Sequence, residues 1–212
     1  MSERVSERVK ELISLSVIVV SLACTSGPHP VDDRPYEQRV LDWRHEKDAA
    51  FRTGNESPIV ESQRASFSGL SYFPIDPSYH VPAYLTREPA QPPVIIELQT
   101  SGPELRRKLQ KVGSLGFAIN GSSYKLTAFA DEGSLSRLFV PFGDLTNGGE
   151  TYNGGRYLEL DRTATGLYDL DFNRAFHPFC VYNPKYDCPV PPRENRLPVA
   201  IRAGERLGAT DH

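Results

Sequence analysis

The chain has 212 residues, of which 39% are hydrophobic and 24% charged, with a formal net charge of −3 and a pI near 6.0. That length supports a domain with a real hydrophobic core, and the lack of any basic block argues against nucleic acid as a partner. Eighteen prolines and sixteen glycines imply many turns and short elements, which favours a β-rich architecture over a helical bundle.

In chain order, the first feature is an uncharged apolar run over residues 12–22. It has the length of a signal-peptide core and is too short to span a bilayer. The run ends in Leu22-Ala23-Cys24, which looks like a lipobox, with Cys24 as the lipidated first residue of the mature chain. Two departures stand against it. Ser21 sits where leucine is usual, and Arg4, Arg8 and Lys10 are interleaved with Glu3, Glu7 and Glu11, so the leader carries no net positive charge. The expected division is therefore a lipoprotein-type signal peptide over 1–23, a Pro-rich flexible tether over 24–34, one globular domain over 35–207 and a frayed tail over 208–212. This places the chain on the outer side of a bacterial membrane, in the cell envelope, held by a lipid anchor.

Pro35 suits the start of a helix, and Tyr36, Val40, Trp43, Ala50 and Phe51 recur at helical spacing until Gly54-Asn55 stops it. On that stripe Trp43 reads as a core anchor, with Arg44 and His45 facing elsewhere. Ser57-Pro58 signals a second, short helix. Beyond Tyr72 the period changes to two. Residues 81–85, 94–99, 115–119, 124–129 and 137–140 are short β-prone runs between turn clusters, and Asn120-Gly121 marks a type I′ hairpin. The expected fold is mainly β with N-terminal helices (α+β), a small antiparallel β-barrel or sandwich.

The most distinctive stretch is Phe142-Gly-Asp-Leu-Thr-Asn-Gly-Gly-Glu-Thr-Tyr-Asn-Gly-Gly-Arg-Tyr-Leu-Glu-Leu-Asp161. Asp171-Phe-Asn-Arg-Ala-Phe-His-Pro-Phe-Cys180 and Cys188-Pro-Val-Pro-Pro-Arg-Glu-Asn195 follow it. These segments resemble the domain of unknown function 1684 family, whose pattern joins PF-x-D-x-T, ETY-x-GGRYL, DFN-x-A and C-P-x-PP-x-EN from about Trp43 to Glu205. The resemblance implies a predominantly bacterial domain with no activity, cofactor or ligand to carry over. It also implies that His177 stands where the family commonly has asparagine.

Read physically, Asn147-Gly148-Gly149 and Asn153-Gly154-Gly155 are glycine turns that either close hairpins or form an anion nest with Arg156. No helix start follows, as a phosphate loop would require. Residues 157–161 and 169–173 alternate, with Leu158, Leu160, Leu170 and Phe172 on one side and Glu159, Asp161, Asp169, Asp171 and Asn173 on the other. Paired as a hairpin, these strands set acid opposite acid. The candidate neutralisers are Arg156, Arg162 and Arg174, solvent, or a hard cation. An EF-hand is excluded, because Arg174 and Cys180 occupy the positions that need Gly and Glu.

Cys180 and Cys188, eight apart, read as a disulfide in an exported chain, with a metal site using His177 or a nucleophile using His177 and Asn195 as rivals. Residues 197–201 read as a terminal strand. The favoured function is a non-enzymatic binding or interaction module in the envelope, presenting Glu150, Tyr152, Arg156, Asp171, Asn173 and Arg174 to a small molecule or an envelope protein. The alternative is a hydrolase-like enzyme or anion-binding protein that draws on the same residues. No cofactor motif is present.

Overall fold

The computed structural model describes residues 32–89, 92–102, 105–133 and 136–208. The apolar run, Cys24 and almost all of the tether and tail lie outside the described residues. Among the described residues no helix is long and apolar enough to cross a membrane.

From Arg34 onward the chain forms one unit, built on a mostly β framework with an N-terminal helix, α1, over Tyr36–Thr53. A one-turn helix, α2, covers Glu61–Arg64. The strands are β1 (His80–Arg87), β2 (Ile95–Gln99), β3 (Arg106–Ile119), β4 (Ser122–Ala130), β5 (Arg137–Phe142), β6 (Arg156–Asp161) and β7 (Leu167–Asp171). They form a nearly closed antiparallel barrel in the order β6-β5-β4-β3-β1-β7, with β2 added alongside the first half of β3. The expected mainly β fold with N-terminal helices is observed, and of the barrel and the sandwich it is the barrel.

Local chemistry explains several of these pairings. Asn120 and Gly121 both adopt positive φ, 49° and 77°, and so form the two-residue turn that joins β3 to β4 in register Ile119↔Ser122. A bulge at Lys111/Gly113 lets β3 bend from β2 towards β1. At that point a Cβ on Gly113 would lie 2.2 Å from the Thr86 carbonyl oxygen, so the close approach requires glycine. The barrel interior is filled by alternate residues of each strand, among them Leu115, Leu126, Leu138, Phe142, Leu158 and Leu170, all buried. Each such side chain contributes about 1.5–3 kcal/mol by leaving water.

Three expectations about this framework are corrected. The alternating segments β6 and β7 do not pair with each other. β6 pairs with β5 and β7 with β1, so they are the two edges of the barrel with an open seam between them. Closure of a sheet on itself brings its first and last strands together in space without ladder hydrogen bonds, a relation that sequence adjacency disguises as a hairpin. The alternation also stops two residues early, at Asp171, because Phe172–Arg174 form a 3-10 turn capped by the Asp171 carboxylate. Lastly, residues 197–201 form no strand and bend at Pro198 and Val199.

The helix is corrected as well. Its inward stripe runs through Val40, Arg44, Lys47 and Phe51, a spacing of four, three and four, while Trp43 is only half-buried. Two of those four positions are cationic, so counting apolar residues alone misplaces the stripe. Arg44 lies 4.4 Å over the Tyr72 ring and donates to the carbonyls of Phe73 and Asn173. Lys47 reaches the buried carboxylate of Glu205 at 2.5 Å, and burial pulls its ammonium below the usual lysine range against the opposing pull of Glu205.

Candidate functional site

The six polar residues expected to form one surface separate into three places. Arg156 is fully buried. Its Nη1 donates to the carbonyls of Ala203 and Glu205, and its Nη2 donates to the Ile201 carbonyl at 2.7 Å and to Asp144 Oδ2 at 2.9 Å. The guanidinium thus takes the place of a neighbouring strand for the C-terminal segment, which is why that segment needs no sheet. Asp144 completes the clamp through Oδ1, which accepts from the Thr146 backbone and hydroxyl and lies 3.3 Å from the Ile201 N–H. An anion nest at the glycine turns therefore lacks its cation, because Arg156 points into the core. Gly155, at φ 92°, has no space for a side chain: a Cβ would meet the Phe142 carbonyl oxygen at 2.6 Å.

Glu150 and Tyr152 form the second place. Glu150 pairs at the surface with Arg202 at 2.8 Å. The Tyr152 backbone N–H donates to His177 Nε2 at 3.3 Å, and its hydroxyl stands 4.0 Å from Cys180 Sγ. Burial pushes the Tyr152 phenol up to about 12.

Asp171, Asn173 and Arg174 form the third. The Tyr36 hydroxyl donates to Asp171 Oδ1 at 2.8 Å and accepts from Asn173 Nδ2 at 2.9 Å. Asn173 also exchanges two hydrogen bonds with the backbone of Asp76, at 2.8 and 2.9 Å. Burial, reinforced by Asp171, pushes the Tyr36 phenol well above its usual range. Arg174 Nε lies 3.4 Å from Asp171 Oδ2.

The acids of the seam are neutralised in a different way from the one expected. Arg137, opposite Asp161 in the β5–β6 ladder, reaches Glu159 at 2.9 Å and Asp161 at 3.3 Å. Asp169 is 86% exposed, with His80 at 3.7 Å. Of the three candidate arginines, Arg174 does pair with Asp171, whereas Arg156 pairs with Asp144.

At this seam a cleft of about 460 Å³ opens between β6 and β7, with Tyr36 and Arg39 of α1 on its rim. Arg39 Nε and the Tyr168 hydroxyl are buried atoms with no hydrogen-bond partner, Arg174 Nε has only the Asp171 carboxylate at 3.4 Å, and all three residues line this cleft. The Tyr36 ring stacks on His80 at 4.7 Å, forming one wall.

The cysteine region also differs from expectation. Cys180 and Cys188 are free thiols and no disulfide joins them. The Cys180 N–H donates to Cys188 Sγ at 3.3 Å. The rival triad is not assembled. Both faces of His177 are engaged, with Nε2 on the Tyr152 N–H and Nδ1 3.7 Å from the Glu205 carboxylate. Asn195 holds backbone instead, because its Oδ1 accepts from Thr127 N and its Nδ2 donates to the carbonyls of Thr127 and Pro141. A metal ion has no ready site either, since no group of three or more His, Cys, Asp or Glu is arranged to hold one among the described residues.

The family described as protein of unknown function (DUF1684) matches residues 65–206. The chain belongs to it. The matched region carries the Arg156 clamp, the Asn173 latch, the Asn195 bridge and both cysteines, so the family's polar signature largely coincides with the fold's internal fastenings. None of the curated proteins matches the chain. Among solved structures, the chain is similar to an uncharacterized protein of the archaeon Haloarcula marismortui, determined by solution NMR. The two are 38% identical, with a TM-score of 0.65, over 82% of this chain and 96% of the other. The likeness to an archaeal protein extends the resemblance beyond bacteria.

Proposed function

We propose that the chain is a binding module of the cell envelope, anchored through Cys24, whose ligand enters the seam between β6 and β7. One observation carries the binding reading: Arg39 Nε and the Tyr168 hydroxyl, both buried without a hydrogen-bond partner, line the same cleft as Arg174, whose Nε meets only the Asp171 carboxylate at 3.4 Å. Buried polar atoms are nearly always satisfied, and leaving one unsatisfied costs roughly 1–3 kcal/mol. Two at one opening, beside a guanidinium held by a single ion pair, favour a ligand that supplies oxygen atoms.

The charge pattern narrows the ligand class. An anion would face Asp169 and Asp171, and a cation would face Arg39 and Arg174. An uncharged polyhydroxy compound of the monosaccharide or polyol class fits both, because a hydroxyl donates to a carboxylate and accepts from a guanidinium.

At a concentration ten times its dissociation constant such a ligand is expected to stabilise the protein by about 1.4 kcal/mol. For a domain of this size that raises the Tm by about 3–6 °C. Thermal melts with glucose, galactose, mannose and inositol are the check. Arg174→Met and Tyr168→Phe should each weaken the response by about tenfold in dissociation constant, the loss of one good hydrogen bond. No rise with any of the four at high millimolar concentration would remove this reading.

The anchor rests on the apolar run ending in Leu-Ala-Cys. Cys24→Ser is expected to leave the chain unlipidated and shift it from the membrane pellet to the soluble fraction. A variant that still pelleted with membranes and was processed normally would refute the anchor.

A further inference from the structure

We propose that Cys180 and Cys188 are a redox-active dithiol that reduces small disulfides, with Cys180 as the attacking sulfur and Cys188 as the resolving one. This activity is separate from the seam cleft and rests on different residues.

The geometry is asymmetric in the way that such chemistry requires. Cys180, in the 3-10 turn Phe179–Val181, is half-exposed, while Cys188 is buried. Cys180 opens onto a cleft of about 480 Å³ lined by Ser101, Gly102, Leu105, Tyr152 and Tyr186. Cys188 is pinned behind it, its N–H donating to Ser101 Oγ at 3.0 Å and its carbonyl accepting from the Ser101 N–H at 2.8 Å. The Ser101 loop is in turn held by Asp187, which accepts from the Gly102 N–H at 2.6 Å and the Thr100 hydroxyl at 2.7 Å. The resolving sulfur therefore sits on a braced segment next to an accessible one.

The surroundings favour a thiolate at Cys180. The Cys188 thiol donates to it, and the hydroxyls of Ser101 and Tyr152 add to that against the cost of burial, bringing Cys180 down to about 6. The same hydrogen bond holds the proton on Cys188, pushing that thiol well above its usual range. The more exposed sulfur is thus the one favoured as thiolate, with the buried one as its acid partner.

The reaction balances as two exchanges. The Cys180 thiolate attacks one sulfur of the substrate disulfide, forming a Cys180 mixed disulfide and expelling one thiolate, which takes up a proton. Cys188 then loses its proton and attacks the Cys180 sulfur, closing the Cys180–Cys188 disulfide and expelling the second thiol. The pair is oxidised by two electrons and the substrate disulfide is reduced to two thiols. A thiol donor running the same exchanges in reverse resets the pair.

The experiment uses the reduced full chain in a Cys24→Ser background, which leaves Cys180 and Cys188 as its two thiols, with oxidised glutathione as the probe, followed by intact mass and released thiol. The wild type is expected to end as the internal disulfide with two equivalents of glutathione released. Cys188→Ser is expected to stop at a mixed disulfide on Cys180. Alkylation of Cys180 by iodoacetamide should be half-maximal near pH 6. At that pH it should run about tenfold faster than a free cysteine, the gain in thiolate fraction outweighing its weaker nucleophilicity. Tyr152→Phe, which keeps the ring, should move that midpoint upward. The proposal is overturned if Cys188→Ser, folded by circular dichroism, gains no glutathione. It is overturned equally if wild-type Cys180 titrates like an ordinary thiol.

Discussion

Arg156→Met is expected to destabilise the domain by about 3–5 kcal/mol, the usual cost of removing one partner from a buried ion pair. The substitution deletes four donated hydrogen bonds at once, to the carbonyls of Ile201, Ala203 and Glu205 and to Asp144. It also strands the Asp144 carboxylate, which is fully buried. Against a typical total of 5–15 kcal/mol, that is a large share of the folding free energy. With an m-value of about 2 kcal/mol/M, the urea midpoint should fall by roughly 1.5–2.5 M. Arg156→Lys should recover little, because a single ammonium cannot present the planar fork that meets three carbonyls and a carboxylate. A fall corresponding to under about 1 kcal/mol would mean that the C-terminal segment is held by something else.

Asn195→Ala is expected to cost roughly 3 kcal/mol or more, since it leaves the Thr127 N–H and the carbonyls of Thr127 and Pro141 without their partner, at about 1–3 kcal/mol for each group left dry. The position matters because the β4–β5 ladder registers directly only at Phe129↔Phe139. Asn195 is inserted where these strands diverge and stands in for the missing rungs. Asn195→Asp is the sharper test. It keeps the shape and one acceptor but turns both donated bonds into oxygen facing oxygen, so it should destabilise at least as much as alanine. Near-wild-type denaturant midpoints for both variants would contradict the bridging role.

What the sequence made legible was mostly local. The Asn120-Gly121 turn and the alternation through β6 follow from backbone sterics and side-chain period, and both appear where the sequence puts them, whereas the alternation of β7 ends at Asp171. What it hid depended on distant partners. Arg44 and Lys47 belong to the buried stripe of α1 because Tyr72, two backbone carbonyls and Glu205 receive them, and those partners come from three remote segments. Arg156 and Asn195 look like surface or catalytic residues in a polar, glycine-rich stretch. In the fold they replace main-chain hydrogen bonds that the barrel and the C-terminal segment fail to make. A polar residue flanked by glycines and prolines, with no periodic strand to pair with, is the signal that could have indicated this. The seam cleft was invisible because Tyr36, Arg39, Tyr168 and Arg174 meet only once the first and last strands of the barrel are brought side by side.

If the glycine-turn part of the family signature fastens the fold while the seam receives the ligand, the two regions must respond differently to added sugar. Amide chemical-shift mapping of the 23.7 kDa chain during a monosaccharide titration reads both at once. The expected result is saturable shifts confined to residues 36–39, 158–161 and 167–174, with the turns over 146–155 unmoved. Saturable shifts centred on Glu150 and Tyr152, with the seam silent, would contradict the account.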